Sequence, residues 1–483
     1  MAFRNRCVKA GIAVAVPLIL LLPLTRAQKG APGIPNLAGF SDPDGIVRTF
    51  SESGSIDLSN PFFQVLGTNG RSCGTCHVPS DAMTISAAHI QTRFDQTQGL
   101  DPVFRTNDGS NCDHNIDTST VAGRRAAYSL LRTRGLIRVA IQVPAVRDFE
   151  VMSVSNPYGC SETNVISMYR RPLPAANLKF LSTVMWDGRE SSIQGGTTPI
   201  DSSNYPTSLM SDLAHQSLDA TLGHAQGNAP GPTAAQQQAI VAFETALYTS
   251  QSEDFGAGSL NAQGATGGPL ALSRQGFFIG TNDPVGLDPS NPVPFTFSKK
   301  IFNLFDSWQG SANPHQQAIL RGQTLFNTKT FAISGVAGLN ETTFSNGITG
   351  PATIVSTCGI CHDTPNSGNH SVSAPLNIGV ADTPGGNSAL DTSYLPAITI
   401  CLKPALTTCV HTTDPGRAMI TGRFADVGKF KGPVMRGLAA RAPYFHNGSA
   451  QTLMDVVDFY NARFQIGFTA QEKADLIAFL QSL

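Results

Sequence analysis

Two copies of one short motif carry the residue types best suited to chemistry. The pattern Cys-x-x-Cys-His occurs twice, formed by Cys73, Cys76 and His77 and by Cys358, Cys361 and His362. Two thiols one helical turn apart can add across the two vinyl groups of one porphyrin, and the adjacent histidine then reaches the iron from the same side. The pattern predicts two covalently attached haem c groups, each with its motif histidine as an iron ligand.

The same cysteine spacing also occurs in thioredoxin-like redox pairs and in halves of zinc sites. A redox pair does not require the trailing histidine, and a zinc ribbon needs a second Cys-x-x-Cys nearby. Here both motifs carry the histidine, and they lie far apart in the sequence. The spacing therefore favours haem attachment over either alternative.

The N-terminus has the layout of a secretory signal. Arg4, Arg6 and Lys9 precede an apolar run over 10–24, and a small-residue exit follows it. This predicts a signal peptide over 1–27 and a periplasmic protein. A transmembrane anchor is the alternative, but it needs about 20 apolar residues, and this run is shorter and contains prolines. We expect no membrane span after signal cleavage.

The composition limits the partners. Lys and Arg together number 33 against 34 for Asp and Glu, and charged residues make up 14% of the 483 residues. A nearly balanced charge gives no strong field, so we expect no nucleic-acid partner. The hydrophobic fraction of 41% is enough to form real cores.

The length and the two motifs together predict two domains. A sequence that favours a helix precedes each attachment motif. We therefore expect a mainly α fold of two c-type cytochrome domains with long loops, each domain enclosing one haem. The domains are predicted to cover 28–310 and 311–483. Helical periodicity appears over 233–250 and after a capping box at Thr469, whereas 251–300 and 365–415 lack periodicity and are expected to be loops.

The four remaining cysteines of the exported chain are an even number in an oxidising compartment, and even numbers there favour disulfides. The short spacing of Cys401 and Cys409 suggests that they close a small loop. Cys112 and Cys160 would then join a larger insertion. Both pairings are hypotheses, because four cysteines allow three connectivities.

Beyond the motifs, three stretches resemble the bacterial di-haem cytochrome c peroxidase and MauG superfamily. They are the Met-Trp-Asp-Gly-Arg run at 185–189, the segment 431–448 with its Pro-Tyr-Phe-His-Asn-Gly end, and 453–460 with the final helix. The resemblance implies a peroxidatic haem in the N-terminal domain and an electron-handling haem in the C-terminal domain. It places Trp186 between them, where an aromatic ring shortens each electron hop; an ordinary core tryptophan is the alternative. Trp308 has no motif around it and is expected in the core.

The resemblance also implies a second ligand for the iron held by His362. Peroxidases of this family carry Met at the position of Tyr460, and MauG-like members carry Tyr. Tyr460 shares a helical face with Leu453, Val456 and Val457, so it should point inward. A thioether raises the haem potential, whereas an anionic phenolate favours the oxidised iron. A buried core tyrosine is the alternative, with Met435 and Met454 as substitute ligands.

The proton-transfer group at the first haem is less clearly marked. The family carries a Gln and then a Glu after the bridging Trp, and the best local match places Gln216 and Gln226 there. Because an amide cannot act as a base, His224 is expected to supply the acid/base function. A solvated histidine is the alternative reading of both His215 and His224.

The remaining residues of interest have supporting roles in the resemblance. His89 is a candidate to cap the first haem at rest, and His446 and Tyr444 are expected to organise contacts between the haems. Arg171 stands where the family has a calcium-binding Asn, and a cation there would repel Ca²⁺, which argues against a calcium ion.

Together these features suggest a periplasmic di-haem peroxidase of the MauG-like branch. H₂O₂ would be cleaved at the first haem, and the His362/Tyr460 haem would store and transfer oxidising equivalents. The reducing partner would be a small cytochrome, a cupredoxin or an oxidisable substrate. A non-catalytic electron-transfer cytochrome and a haem-dependent oxygenase of an organic substrate are the alternatives.

Overall fold

The structure is a computed structural model that describes residues 33–191, 205–284, 297–343, 349–372, 374–386 and 389–483. The expected signal peptide over 1–27 lies outside these residues. Within the described part of the chain, no helix is long and apolar enough to cross a membrane. The expected division into 28–310 and 311–483 stays a prediction.

The expectation of a mainly α fold is wrong. The chain is 31% helical and 19% strand, so the fold is mixed. Its α-helices in chain order are Ala87–Thr97 (α1), Val121–Ala127 (α2), Ser129–Arg134 (α3), Thr207–Gly223 (α4), Ala234–Thr245 (α5), Pro269–Ser273 (α6), Pro314–Thr328 (α7), Ala418–Thr421 (α8), Leu453–Phe464 (α9) and Ala470–Gln481 (α10).

The described strands form small antiparallel sheets with the orders β1-β4, β2-β3-β8-β9, β5-β7, β13-β12-β6 and β10-β11. β6 and β12 come from the two predicted domains and pair in one sheet. The strands are Gly33–Pro35 (β1), Gly39–Ser41 (β2), Gly45–Ser51 (β3), Ser55–Asp57 (β4), Ile137–Gln142 (β5), Phe149–Ser155 (β6), Val165–Arg170 (β7), Leu247–Asp254 (β8), Gly258–Ser259 (β9), Phe331–Ser334 (β10), Thr353–Ser356 (β11), Ala397–Leu402 (β12) and Cys409–Thr412 (β13).

Polar residues on buried strand faces explain why hydrophobic periodicity in the sequence did not predict these strands. β3 alternates between buried and half-buried positions, but its buried side includes Thr49 and Ser51 beside Val47. The Thr49 hydroxyl lies 2.8 Å from the Thr249 hydroxyl across the β3–β8 pair, which satisfies both groups inside the core. A strand with a polar inner face shows no apolar alternation.

Two of the local expectations are corrected as well. The helix expected over 233–250 ends at Thr245 and gives way to β8, whose first residue is Leu247. The segments 251–300 and 365–415 are not only loops, because they contain β9, α6, β12 and β13. The capping box of α10 is confirmed, since the Thr469 hydroxyl accepts a hydrogen bond from the Glu472 main-chain N at 3.2 Å.

The C-terminal helices pack into one core around aromatic side chains. α7 and α10 cross closely at Gly322, where a Cβ would lie 2.0 Å from the Asp475 carbonyl oxygen. Trp308 is fully buried and stacks on Phe305 at 4.6 Å between ring centroids, so its expected place in the core is confirmed. Both expected disulfides, Cys112–Cys160 and Cys401–Cys409, are present.

Candidate functional site

The first attachment motif forms a single helical turn over Cys73–Thr75, with Cys76 and His77 directly after it. Cys73 and Cys76 are free thiols. The Nδ1 of His77 lies 3.0 Å from the Met83 carbonyl oxygen. Because a carbonyl can only accept, Nδ1 carries the proton and Nε2 is left for a metal. Burial lowers the pKa of His77 to about 4, so the ring is neutral.

The second motif repeats this arrangement. Its turn covers Cys358–Ile360, and Cys361 follows as a second free thiol. The Nδ1 of His362 donates to the Gly368 carbonyl oxygen at 2.6 Å. Burial lowers the pKa of His362 to about 4 as well. Two free thiols and one neutral, oriented imidazole fit a covalently attached haem at each motif, which stays a prediction.

Each motif opens onto its own cavity. The His77 cavity encloses about 160 Å³ and the His362 cavity about 240 Å³. Arg171, Pro172 and Trp186 line both of them. The structure therefore places Trp186 at the junction of the two cavities, where the resemblance expected a bridging aromatic ring.

The Trp186 ring is held by hydrogen bonds and a neighbouring ring. Its Nε1 donates to the Arg171 carbonyl oxygen at 2.7 Å, and its own carbonyl oxygen accepts from the Lys431 main-chain N at 2.8 Å. The His446 ring packs against it at 6.1 Å between centroids in an edge-on arrangement. These contacts leave one orientation for the indole.

His446 is buried and lines the His362 cavity. Its ring stacks on Phe430 at 3.9 Å, and its Nε2 lies 3.7 Å from an Asp414 carboxylate oxygen. Burial lowers the pKa of His446 to about 4, so the ring is neutral. His446 thus supports Trp186 as a packed aromatic neighbour.

Trp186 and His446 occupy equivalent places in two loops of the same shape. In the first loop Val184 bridges to Glu190, and in the second Tyr444 bridges to Ala450. Both loops have positive φ at matching positions: +66° at Met185 and +65° at Gly188, against +63° at Phe445 and +65° at Gly448. The sequences Met-Trp-Asp-Gly-Arg and Phe-His-Asn-Gly-Ser differ enough to hide this repeat.

A buried ion network anchors the first loop. Arg170 donates to the carboxylates of both Asp187 and Asp414, and Arg189 donates to Asp187 at 3.0 Å. Burial alone would raise the pKa of Asp187, but Arg189 and Arg170 hold it well below its usual range. In the equivalent place of the second loop stands Asn447, which accepts a hydrogen bond from the Ser449 main-chain N at 3.2 Å.

Tyr460 lies on α9 and faces the His362 cavity together with Leu453, Val456 and Val457, as their common helical face predicted. Its hydroxyl makes no hydrogen bond with any other described residue. Burial raises the pKa of Tyr460. A phenol with a free oxygen in this cavity fits an iron ligand. Of the substitute ligands, Met435 lines the cavity, whereas Met454 is 41% exposed and does not.

The expected proton-transfer residues are only partly brought together. Gln216 on α4 and His224 at its C-terminal cap line the His77 cavity. Gln226 is not among the described residues that line it. His224 Nδ1 lies 2.5 Å from an Asp108 carboxylate oxygen, so the carboxylate orients the ring.

Two acids of this cavity carry no sequence signal. Asp108 is buried and pairs with Arg71 as well as with His224. Burial would raise the pKa of Asp108, but the hydrogen bond from His224 and the charge of Arg71 lower it. Glu244 on α5 is buried with its Oε2 unpartnered, and burial raises its pKa to about 8. Neither acid belongs to a motif, and only the fold brings them near His77.

The other expected histidines lie elsewhere. His89 pairs with Asp81 at 3.0 Å and does not line either cavity, so nothing in the structure places it at the first iron. His215 pairs with Glu190 at 2.7 Å. The guanidinium of Arg171 donates to carbonyl oxygens of three other segments, so the position where the family has a calcium-binding Asn holds a hydrogen-bonded cation.

No family model matches the chain. It is 42% identical over 78 residues to cytochrome-c peroxidase IdrP2 of Denitromonas iodatirespirans, a match that covers 15% of this chain and 21% of that protein. It is 41% identical over 81 residues to cytochrome-c peroxidase IdrP1 of Pseudomonas sp. strain SCT, covering 14% and 21%. Over 77 residues it is 39% identical to cytochrome c551 peroxidase of Nitrosomonas europaea, covering 15% and 23%.

The chain therefore spans about a fifth of the length of the curated relatives it matches. A crystal structure of a MauG-like protein associated with microbial copper homeostasis aligns over 88% of this chain and 86% of that one, with a TM-score of 0.39 and 17% identity. The local similarity is to cytochrome-c peroxidases, whose names imply haem c as the cofactor.

Proposed function

We propose that the protein is a di-haem c-type peroxidase that cleaves H₂O₂ at a haem held by His77 and transfers oxidising equivalents to a haem held by His362. The observation that carries the proposal is the position of Trp186, which lines both cavities. The local similarity to cytochrome-c peroxidases supports the same conclusion.

The first haem supplies an iron at which peroxide can be activated, and the chain supplies the proton transfer. Asp108 accepts from His224 Nδ1 at 2.5 Å, which fixes the tautomer and leaves Nε2 to exchange a proton. His224 is 40% exposed at its side chain, so it also reaches solvent. Gln216 lines the same cavity, and its amide could donate a hydrogen bond to an oxygen of the peroxide substrate.

Trp186 and Tyr460 serve the second haem in this proposal. The indole lies on the direct route between the cavities, and its Nε1 bond to the Arg171 carbonyl keeps it in place. Tyr460 lines the same cavity as His362 and would be the second residue to hold the iron of this haem. An anionic oxygen ligand would favour the oxidised iron, so Tyr460 would suit this site to storing oxidising equivalents, as in the MauG-like branch. A small cytochrome, a cupredoxin or an oxidisable substrate in the periplasm removes them.

The test adds one equivalent of H₂O₂ to the ferric protein and follows the absorption of both haems. We expect a high-spin ferric signal from one haem at rest and spectral changes at both haems after peroxide. In Trp186→Phe the change at the second haem should slow by at least about tenfold, with the first still reacting. Trp308→Phe is the matched control, because Trp308 is fully buried and is not among the described residues that line either cavity.

Three results would overturn the proposal. Two low-spin haems that ignore peroxide would indicate an electron-transfer cytochrome. Consumption of O₂ with an organic substrate, and none of H₂O₂, would indicate an oxygenase. Equal rates in Trp186→Phe and the wild type would remove Trp186 from the route.

A further inference from the structure

The His362 cavity contains an unbalanced positive charge. Arg171, Lys431 and Arg441 line it, and no Asp or Glu is present among its described lining residues. Most of its remaining lining is aliphatic and aromatic. Cations are very costly to bury unless an anion or hydrogen-bond acceptors compensate them.

Arg171 has its acceptors. Its Nη1 donates to the Arg134 carbonyl oxygen at 3.0 Å, and its Nη2 donates to the carbonyl oxygens of Ile85 at 2.5 Å and Arg441 at 2.9 Å. Main-chain oxygens from three segments therefore compensate this guanidinium. It needs no further ligand.

Lys431 and Arg441 do not have a comparable set of hydrogen-bond acceptors. Lys431 is 6% exposed, and its ammonium makes no hydrogen bond with any other described residue. Arg441 donates from Nη2 to the Val434 carbonyl oxygen at 2.8 Å, whereas its Nε is buried without a partner. Burial, together with the charge of Arg441, lowers the pKa of Lys431 to about 7. Both side chains have donors left for an anion.

Main-chain hydrogen bonds place Lys431 and Arg441 close to residues that line both cavities. The Lys431 main-chain N donates to the Trp186 carbonyl oxygen at 2.8 Å, and the Arg441 carbonyl accepts from Arg171, which lines both cavities. Lys431 and Arg441 therefore line the His362 cavity and are bonded through their main chains to Trp186 and Arg171, which line both cavities.

A c-type haem has the matching chemistry, with an apolar macrocycle and two carboxylates on one edge. We propose that Lys431 and Arg441 bind the propionate carboxylates of the haem attached at Cys358 and Cys361, so that the propionate edge of this haem faces the Trp186 junction. Ammonium and guanidinium groups bind carboxylates through charge-assisted hydrogen bonds. The inference rests on the haem cofactor of the proposed function and does not depend on peroxide chemistry.

The test measures the reduction potential of the second haem in the intact di-haem protein by spectroelectrochemical titration. Lys431→Gln and Arg441→Gln should each shift this potential downward, because an uncompensated propionate favours the more positive oxidised iron. Lys431→Arg should keep it near the wild-type value, since it retains the cation. Lys429→Gln is the matched control: Lys429 pairs with Asp426 at 3.1 Å and lines neither cavity, so no shift is expected.

An unchanged potential in Lys431→Gln with both haems attached would overturn the proposal. If Arg441→Gln does not fold, because its guanidinium also holds the Val434 carbonyl, Lys431→Gln and Lys431→Arg decide alone. A change in the wild-type potential on adding acetate would show that the cations are open to a free carboxylate, and it would overturn the assignment too. Failure of the peroxide reaction leaves this test intact, so the two proposals can fail separately.

Discussion

Single residues prepare each motif histidine for a metal. In both, Nδ1 is tied to a main-chain carbonyl oxygen, Met83 for His77 and Gly368 for His362. Burial keeps both rings neutral, since their pKa values fall to about 4. A neutral ring with one nitrogen fixed presents the other to a metal without any rearrangement. The difference between the two sites therefore comes from what lies opposite each histidine.

Tyr460→Met tests the ligand opposite His362. We expect the potential of the second haem to rise by a few tenths of a volt, within the range of about 0.8 V over which axial ligands set haem potentials. Spectroelectrochemical titration measures it. Tyr444→Phe is the control, since Tyr444 lines the same cavity but its hydroxyl donates to the Leu438 carbonyl at 3.0 Å. An unchanged potential in Tyr460→Met, with a fall in Met435→Leu, would assign the ligand to Met435.

Glu244 should make stability depend on pH. Its pKa is raised by burial to about 8 in the folded protein, against about 4.3 for an unperturbed Glu. Between these two pH values the unfolded wild-type chain releases the Glu244 proton and the folded chain keeps it. The unfolding free energy of the wild type should therefore fall relative to that of Glu244→Gln as pH rises, by up to about 1.4 kcal/mol per pH unit. Urea unfolding at a series of pH values measures the difference. The exposed Glu341→Gln should show no such trend, and a parallel pair of pH curves for Glu244→Gln and the wild type would contradict the prediction.

Among the elements, the two matching loops position the junction between the cavities. Each presents one aromatic ring, Trp186 or His446, and the rings pack against each other. In each loop, the main-chain carbonyl of the aromatic residue accepts a hydrogen bond from a residue outside the loop. The Arg171 main-chain N donates to the His446 carbonyl oxygen at 2.6 Å, and the Lys431 main-chain N donates to the Trp186 carbonyl oxygen at 2.8 Å. The loops are therefore fixed by distant segments, which explains how short turns hold rings in a defined place.

Asp187→Asn tests how the first loop is held. The amide can keep the hydrogen bond from the Arg189 main-chain N, as Asn447 does in the second loop. It loses one of the two carboxylate charges that compensate buried Arg170, while Asp414 keeps the other. We therefore expect a loss of unfolding free energy at pH 7 of up to about 3 kcal/mol, the lower end of the cost of breaking a buried ion pair. Because the pKa of Asp187 is depressed, this loss should shrink as pH falls below about 4.

Denaturant unfolding measures the loss of unfolding free energy in Asp187→Asn. Glu150→Gln is the control, because Glu150 pairs with Arg147 and Lys403 in half-exposed positions. Such pairs contribute about 0–1 kcal/mol. Equal losses in the two variants would show that the buried network does not stabilise the loop.

At the scale of the whole molecule, contacts across long sequence distances join the two motif-bearing parts of the chain. β6 pairs with β12, and Arg170 reaches Asp414 at 2.7 Å. The disulfides act within each part: Cys112–Cys160 joins residues 48 apart, and Cys401–Cys409 joins residues 8 apart across the β12–β13 pair. Global stability thus depends on both kinds of constraint.

The two disulfides should contribute unequally to the unfolding free energy. In the chain-entropy relation, the 48-residue separation of Cys112 and Cys160 corresponds to about 4 kcal/mol. The 8-residue separation of Cys401 and Cys409 corresponds to about 2.5 kcal/mol. Paired Cys→Ser substitutions followed by denaturant unfolding measure both losses. A larger loss for the shorter loop would show that loop entropy does not govern their contributions.

Local patterns alone determined several features of this protein. The attachment motifs, the capping box at Thr469 and the helical face of Tyr460 follow from spacing within a few residues, because one helical turn defines each of them. Cysteine count and spacing suggested both disulfides, and the structure decided among the three possible connectivities. The strands were missed, since side chains such as Thr49 and Ser51 bury polar groups that only a cross-strand partner satisfies.

The cavities themselves required the tertiary structure. Trp186 lines both of them and is held there by hydrogen bonds with the main chains of Arg171 and Lys431. Asp108, Glu244 and the cations Lys431 and Arg441 lie in separate segments of the chain, and no spacing rule relates them to the motif histidines. Burial changes the charge and hydrogen-bonding needs of such groups, and burial is a property of the folded chain as a whole.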